Sequence, residues 1–108
     1  PGLSRAFNAA VGTTRGDIIG CIDDDCYVTP SYVTDVLAIF DADPALDYCG
    51  GRILLYDARD ARLTIQERTV RRDYEPYTLL TPGDLQGANM AYRRRVLEAI
   101  GGYCEQFG

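Results

Sequence analysis

Three adjacent aspartates, Asp23, Asp24 and Asp25, follow the short apolar segment Ile18–Ile22. We call these three residues the acidic run. A continuous apolar segment of this length predicts a buried strand, which we expect to pair in parallel and to be covered on both faces. Adjacent carboxylates repel one another, so the acidic run needs a counter-charge. An arginine can supply it, but a divalent cation with oxygen ligands is the more natural partner.

Asp23 and Asp25 are the predicted metal ligands. In an extended segment, alternate side chains point the same way, so these two carboxylates would share one face. Two such carboxylates can hold Mn²⁺ or Mg²⁺ against a diphosphate, and the metal would then neutralise charge on a leaving phosphate. The structural alternative is an acidic turn that caps the next helix. The buried strand before the acidic run favours the metal site, because a solvated turn needs no such strand.

The rest of the chain alternates between helical and strand-like patterns, which predicts an α/β sheet. In such sheets, ligands bind beyond the carboxyl ends of the strands, which is where the acidic run lies. The predicted elements are a helix over 3–14 capped by Ser4, a helix begun by Pro30 and continuing over 32–40, a strand over 46–55 interrupted at Gly50, a long loop with a strand or two over 56–82, a strand over 87–92, and a helix over 93–100 closed by Gly101 and Gly102.

Composition excludes several classes of function. The net charge of -5 disfavours nucleic-acid binding, and the arginines at 68–72 and 93–95 are predicted to be solvated faces. No apolar segment is long enough to span a bilayer, and the first residues do not resemble a signal peptide. The chain has no histidine, which removes histidine-based nucleophile arrangements. Its four cysteines lack zinc-site spacing and are predicted to be reduced thiols, as in a cytoplasmic protein.

Two separate motifs together resemble the inverting family 2 glycosyltransferases of the GT-A fold. The first is Asn8 followed by residues 16–25, Gly-Asp-Ile-Ile-Gly-Cys-Ile-Asp-Asp-Asp. The second is residues 87–94, Gly-Ala-Asn-Met-Ala-Tyr-Arg-Arg, followed by Ile-Gly-Gly-Tyr at 100–103. The resemblance implies an α/β, Rossmann-like nucleotide-diphospho-sugar transferase fold. It also implies that residues 1–108 form a single, partial catalytic domain.

The resemblance also implies roles for individual residues. Asp23 would contact the ribose or the metal, and Asp25 would coordinate the metal on the diphosphate. Further contacts to the nucleotide sugar would come from Asp24, Arg5 and Asn8. Gly87 and Asn89 would lie near the donor sugar and the acceptor, with a tight turn as the structural alternative for both. The sequence departs from the family pattern at Phe7, where many members have arginine, and at Cys104, where aspartate is common.

The implied reaction is an inverting, metal-dependent transfer from a nucleotide-diphosphate sugar, expected to be a UDP-sugar, to a hydroxyl of a saccharide or lipid-linked acceptor. The first strand and nucleotide loop are expected before Pro1, and the general base after Gly108. We therefore assign no catalytic residue within the chain and predict that it does not turn over alone. The full-length protein could lie at the cytoplasmic face of a membrane. Exposed sheet edges predict that the chain can form a homo-oligomer.

Two other functions fit parts of the sequence. One is a non-catalytic remnant that binds only a nucleotide or a metal. The other is a phosphatase of the haloacid dehalogenase type, which also places an Asp-x-Asp at a strand end. The phosphatase is disfavoured because Tyr27 occupies the position of its usual threonine or valine, and because every basic residue in the chain is arginine, so no lysine is available.

Overall fold

The computed structural model describes residues 2–107, which form a small α/β domain. The elements are α1 (Leu3–Thr13), β1 (Ile18–Ile22), α2 (Tyr32–Ala42), β2 (Tyr48–Gly50), β3 (Asn89–Arg93), α3 (Arg94–Ile100) and a short 3₁₀ helix (Glu105–Phe107). The predicted α/β class is therefore confirmed.

The three strands form one sheet in the order β1-β3-β2, with β3 antiparallel to both neighbours. Within residues 2–107, β1 thus has an antiparallel partner, and the prediction of a parallel one was wrong. The α2 crossover does make β1 and β2 run in the same direction. However, β1 and β2 are not neighbours in the sheet. β3, which comes much later in the sequence, lies between them.

Helices cover both faces of the sheet. On one face, Ile19, Tyr92 and Leu97 are buried and pack against Phe7 and Val11 of α1. On the other face α2 crosses β1, and the hydroxyl end of Tyr32 lies over Gly20. Alternate residues of a strand face opposite layers, so β1 does have helices on both sides, as expected. Gly20 is nevertheless exposed, because the α2 layer leaves a groove of about 280 Å³ beside it.

The ends of the elements differ in detail from the predictions. Ser4 lies inside α1, whose N-cap is Gly2, so the predicted Ser4 cap was wrong. Pro30 sits in the turn before α2, whose N-cap is Ser31. The predicted glycine closure of α3 is confirmed, since Gly101 adopts the left-handed conformation with φ 77°.

The region between β2 and β3 is mostly irregular. Of the strand predicted over 46–55, only the three residues of β2 form a strand. The strand or two predicted over 56–82 are represented by one isolated bridge, in which Gln66 pairs with Ile53. β3, which follows this region, passes directly into α3, as predicted for 87–100. The region is held instead by side chains: buried Asp84 accepts hydrogen bonds from Thr81 and pairs with Arg68 and Arg72.

Arg93, Arg94 and Arg95, here called the arginine run, connect the end of β3 to the rest of the fold. Arg93 donates to the carbonyls of Leu46 and Phe40, both at 2.8 Å, and lies over the Phe40 ring. The prediction of a solvated arginine face was therefore wrong here.

The other two members of the arginine run also have fixed partners. Arg94 donates to the Gly16 carbonyl at 2.8 Å and to the Thr14 hydroxyl at 2.7 Å. Arg95 bonds to the Asp47 carboxylate at 2.9 Å. These contacts hold the segments that lead into β1 and β2.

Candidate functional site

The acidic run forms a tight turn at the carboxyl end of β1. The Cys26 amide donates to the Asp23 carbonyl at 3.1 Å, which closes a four-residue turn, and all three aspartates are exposed. The argument that Asp23 and Asp25 share a face assumed an extended segment, and that assumption was wrong. The position of the run at a strand end was predicted correctly.

No basic side chain pairs with the acidic run among residues 2–107. Eight ion pairs connect other residues, and none includes Asp23, Asp24 or Asp25. The sequence argument allowed arginine as the counter-charge, but in the described part of the chain the arginines with ionic partners pair elsewhere. The mutual repulsion of the three carboxylates thus remains uncompensated by protein groups.

The acidic run could hold a divalent cation only together with a phosphate ligand. Residues 2–107 contain no group of three or more His, Cys, Asp or Glu side chains placed to hold a metal by themselves. Mg²⁺, however, typically takes only one or two carboxylates and completes its shell with phosphate oxygens and water. An exposed pair of oxygen ligands without a cationic neighbour is suited to that kind of site. The assignment of Asp23 and Asp25 as ligands stays a prediction.

The second motif reaches the same edge of the sheet. Ile22, the last residue of β1, pairs with Asn89, the first residue of β3. The Gly51 amide just after β2 donates to the Asn89 carbonyl at 3.1 Å. The antiparallel placement of β3 therefore joins the acidic run, the start of β3 and the end of β2. Sequence patterns could not predict this junction, because the three segments are separated by about 25 to 65 residues along the chain.

Asn89 connects two of these segments through its side chain. Its Nδ2 donates to the Arg52 carbonyl at 2.9 Å, and its amide lies so close to Gly51 that a Cβ there would collide with it. Glycine at 51 is therefore required by Asn89. This contact gives Asn89 a structural role at the junction, and its predicted contact with sugar or acceptor stays a prediction.

Gly87 differs from Gly51 because nothing in the fold requires it to be glycine. It lies in a turn closed by the Asn89 amide and the Gln86 carbonyl at 3.1 Å, so the predicted turn is present. However, a Cβ at Gly87 would meet nothing within 4 Å, and its φ is not positive. A bare backbone facing open space beside Asn89 suits the close approach of a ligand.

Arg5 and Asn8 are held by the end of the chain. Asn8 exchanges two hydrogen bonds of 2.9 Å with the backbone of Tyr103. Arg5 pairs with Glu105 at 3.4 Å. Neither contacts the acidic run within residues 2–107, so the structure does not bring them to the junction, and their predicted contacts with the nucleotide sugar stay predictions.

The four cysteines are free thiols, as predicted. Burial raises the pKa of Cys21 and of Cys49, so both stay protonated at neutral pH. Desolvation and then the nearby Asp25 carboxylate raise the pKa of Cys26. A protonated thiol beside a carboxylate is a poor nucleophile.

Comparison with known proteins identifies the family. The description of the matching family model is "Glycosyl transferase family 2", and the match covers residues 1–101. The chain belongs to glycosyl transferase family 2. Searches of curated proteins and of solved structures gave no match.

Membership of this family confirms the resemblance and the transferase class. It supports glycosyl transfer in general and the GT-A assignment of the α/β fold. It also favours the transferase over the phosphatase considered above. None of the helices described for residues 2–107 of this glycosyl transferase has the length and apolar character needed to cross a membrane.

Sequence reasoning missed three features of this glycosyl transferase. Asp84 was not singled out, although Thr-Pro-Gly-Asp at 81–84 is a turn sequence whose aspartate can bond back to its own backbone. A cleft of about 1240 Å³ lies between β2 and residues 66–80, and the acidic run is not part of its lining. A pair of exposed tyrosines, Tyr27 and Tyr56, meets beside the acidic run. Such pairings across the chain leave no local sequence signal.

Proposed function

We propose that the chain is part of an inverting glycosyl transferase that moves a sugar from a nucleotide-diphosphate donor, expected to be a UDP-sugar, to a hydroxyl of a saccharide or lipid-linked acceptor. One observation carries the proposal. The acidic run, which has no ionic partner in residues 2–107, follows Ile22, and Ile22 pairs with Asn89, two residues after the open backbone of Gly87.

Each part of this edge would have its own task. Asp23 and Asp25 would hold Mn²⁺ or Mg²⁺, which neutralises charge on the diphosphate when it is bound. The turn at 86–89 would let the donor sugar approach the backbone at Gly87. Asn89 would keep β2 and β3 together beneath the sugar through its bond to Arg52. The four free thiols support the proposed reducing, cytoplasmic setting.

The decisive experiment is a calorimetric titration with UDP-glucose, with and without Mn²⁺, on the wild type and on Asp25→Ala. We expect metal-dependent binding that weakens by about 100-fold in the variant, the upper range for disturbing a metal shell. Asp41→Ala is the matched control, because Asp41 is an exposed aspartate at the end of α2, away from the junction. It should bind like the wild type.

The result also separates the proposal from its alternatives. Binding that is independent of Mn²⁺, or equal in Asp25→Ala and wild type, would show that the acidic run does not hold the diphosphate. Release of inorganic phosphate from a phosphate ester would instead favour the phosphatase. Because binding is measured rather than turnover, the test does not depend on a general base within the chain.

A further inference from the structure

Tyr27 and Tyr56 form an aromatic pair that the core does not use. Their ring centroids are 4.9 Å apart with a 34° tilt, yet the two residues are 80% and 83% exposed. Each ring therefore touches the other and little else. Tyrosines with an exposed ring face and a free hydroxyl are enriched at binding interfaces, so an exposed stacked pair outside the core is a candidate binding surface.

The pair is supported by two hydrogen-bonded turns rather than by packing. Tyr27 directly follows the turn of the acidic run, closed by the Cys26 amide. Tyr56 directly precedes a turn in which the Asp60 amide donates to the Asp57 carbonyl at 3.0 Å and the Arg59 amide donates to the Asp57 carboxylate at 2.9 Å. These turns fix the direction of the chain at both tyrosines. The rings can thus be preorganised without being buried.

The position of the pair relates it to the candidate donor site. Tyr27 is two residues beyond Asp25, so their Cα atoms are within about 7 Å of each other. A ligand on the pair would lie next to a diphosphate bound at the acidic run. Tyr77, the most exposed tyrosine, lies in the long loop, and no other aromatic ring stacks on it among the described residues.

The chemistry of the pair suits a sugar ring. A pyranose has an apolar face of C–H groups and a rim of hydroxyls. A tyrosine offers a ring face with negative charge density to the C–H groups and a phenol hydroxyl to the rim. Two neighbouring tilted rings give a surface about the width of one or two sugar residues. A nucleobase could also stack on such a surface, so the experiment must tell the two ligands apart.

We propose that Tyr27 and Tyr56 form an acceptor platform, a subsite that binds a pyranose ring of the acceptor saccharide beside the donor site. The role of the platform as an acceptor subsite rests on the glycosyl transfer proposed above. The binding itself requires neither donor nor metal. It can therefore be measured separately from the function of the acidic run.

The test is a titration of the whole 108-residue chain, labelled with ¹³C in its tyrosine rings, followed by NMR without nucleotide or metal. The probes are cellotriose, maltotriose, mannotriose and tri-N-acetylchitotriose, with UDP as a separate probe. We expect at least one trisaccharide to shift the ring signals of both Tyr27 and Tyr56. Tyr27→Ala and Tyr56→Ala should each weaken binding by about fivefold, the size of one aromatic contact.

Matched variants make the result specific. Tyr27→Phe and Tyr56→Phe keep the ring face and should bind within about twofold of wild type, since only the hydroxyl contact is lost. Tyr77→Ala removes an even more exposed tyrosine elsewhere and should leave saccharide binding unchanged. The exposed positions of all three residues mean that the alanine variants should fold, which an unchanged melting temperature would verify.

Three outcomes would overturn the platform: no trisaccharide shifts the two rings, UDP shifts them and the saccharides do not, or the alanine variants bind saccharide like the wild type. UDP-glucose and Mn²⁺ binding, measured on the same samples, tests the acidic run independently. Absence of UDP-glucose and Mn²⁺ binding with intact saccharide shifts would refute the proposed role of the acidic run and keep the platform. Binding of UDP-glucose and Mn²⁺ without saccharide shifts would refute the platform alone.

Discussion

The two ends of the sheet carry opposite charges and use them in opposite ways. At one end β1 passes into the acidic run, whose carboxylates have no ionic partner within residues 2–107. At the other end β3 passes into the arginine run, and each of its guanidinium groups bonds to a carbonyl, a hydroxyl or a carboxylate. The arginine run is thus paired within the protein, whereas the acidic run has no ionic partner among residues 2–107.

This difference indicates how the chain divides stability from binding. A charged donor that satisfies carbonyls within the fold stabilises it, and removing that donor leaves those carbonyls unpaired. A cluster of like charges without ionic partners adds no comparable stabilisation to the fold. A cation can still bind to it. Substitutions at the arginine end should therefore change the free energy of unfolding. Substitutions at the acidic end should change ligand affinity.

The largest effect is expected at Arg93. Arg93→Met removes bonds to the carbonyls of Phe40, Leu46 and Asp43 and leaves these acceptors without their donor. We expect the free energy of unfolding to fall by about 3 kcal/mol, the sum of a few charge-assisted bonds reduced by solvent competition. Urea denaturation followed by circular dichroism measures it.

Arg95→Met is the control for this prediction. Arg95 lies two residues after Arg93, but its pair with Asp47 is exposed, so its loss should cost at most about 1 kcal/mol. Equal losses in the two variants would contradict the view that the arginine end stabilises the fold through Arg93 in particular.

The two charged runs also show how far the sequence could predict the structure. Both are three like charges next to a strand, and their local patterns are similar. The acidic run was placed correctly at a strand end, because the apolar segment before it is continuous and local. The arginine run was predicted to be solvated, because its partners are up to 83 residues away and no local pattern indicates them.

The candidate site was predictable to the same extent. Each motif was found from its own residues, and the family match confirms the family that the two motifs together indicated. The roles of the individual site residues stay predictions. The two motifs lie close together because β3, which is late in the sequence, pairs between β1 and β2. That insertion also explains why the predicted parallel pairing was wrong. Contacts of long sequence separation are set by tertiary packing, which propensity and periodicity do not record.

The next effect concerns Gly87, at the acidic end. Gly87→Ala adds a Cβ that meets nothing in the fold, so the melting temperature should not fall. If the donor sugar approaches this backbone, UDP-glucose affinity should drop about tenfold, the cost of one crowded methyl group at a tight contact. Calorimetry with Mn²⁺ present measures it.

Gly12→Ala provides the matched control for Gly87→Ala. Gly12 lies in α1 and its Cβ would also meet nothing within 4 Å, so the added methyl group should leave affinity unchanged. Gly51→Ala should behave differently from both, since its Cβ collides with Asn89, and it should lower stability as well. Unchanged affinity in Gly87→Ala would remove this turn from the donor site.

A smaller effect is expected at Asp84, a carboxylate that the protein does satisfy. Hydrogen bonds from the Thr81 hydroxyl and amide, and then the charge of Arg72, hold the pKa of Asp84 well below its ordinary value. The stability it contributes is therefore complete above pH about 4 and is lost as the pH falls through the lowered pKa. Asp84→Asn should lower the melting temperature by several degrees at pH 7, and the gap should narrow in acid.

Thermal denaturation between neutral and acidic pH checks this prediction. Asp73→Asn is the control, because Asp73 is 70% exposed and shares Arg71 with Asp43. It should melt close to the wild type throughout. A constant gap between Asp84→Asn and wild type across the acid range would show that the charge of Asp84 is not what stabilises the loop.

The smallest change in stability is expected when the acidic run itself is neutralised. Asp23→Asn with Asp25→Asn removes two like charges that have no ionic partner among residues 2–107, so repulsion falls and stability should rise, by at most about 0.5 kcal/mol. The gain should shrink in 1 M salt, because exposed charges are screened. Mn²⁺ with UDP should raise the melting temperature of the wild type and leave the double variant unchanged, since only a ligand-bound native state is stabilised. A double variant that is clearly less stable than the wild type would mean that the acidic run has protein partners after all, and the contrast between the two ends of the sheet would then be lost.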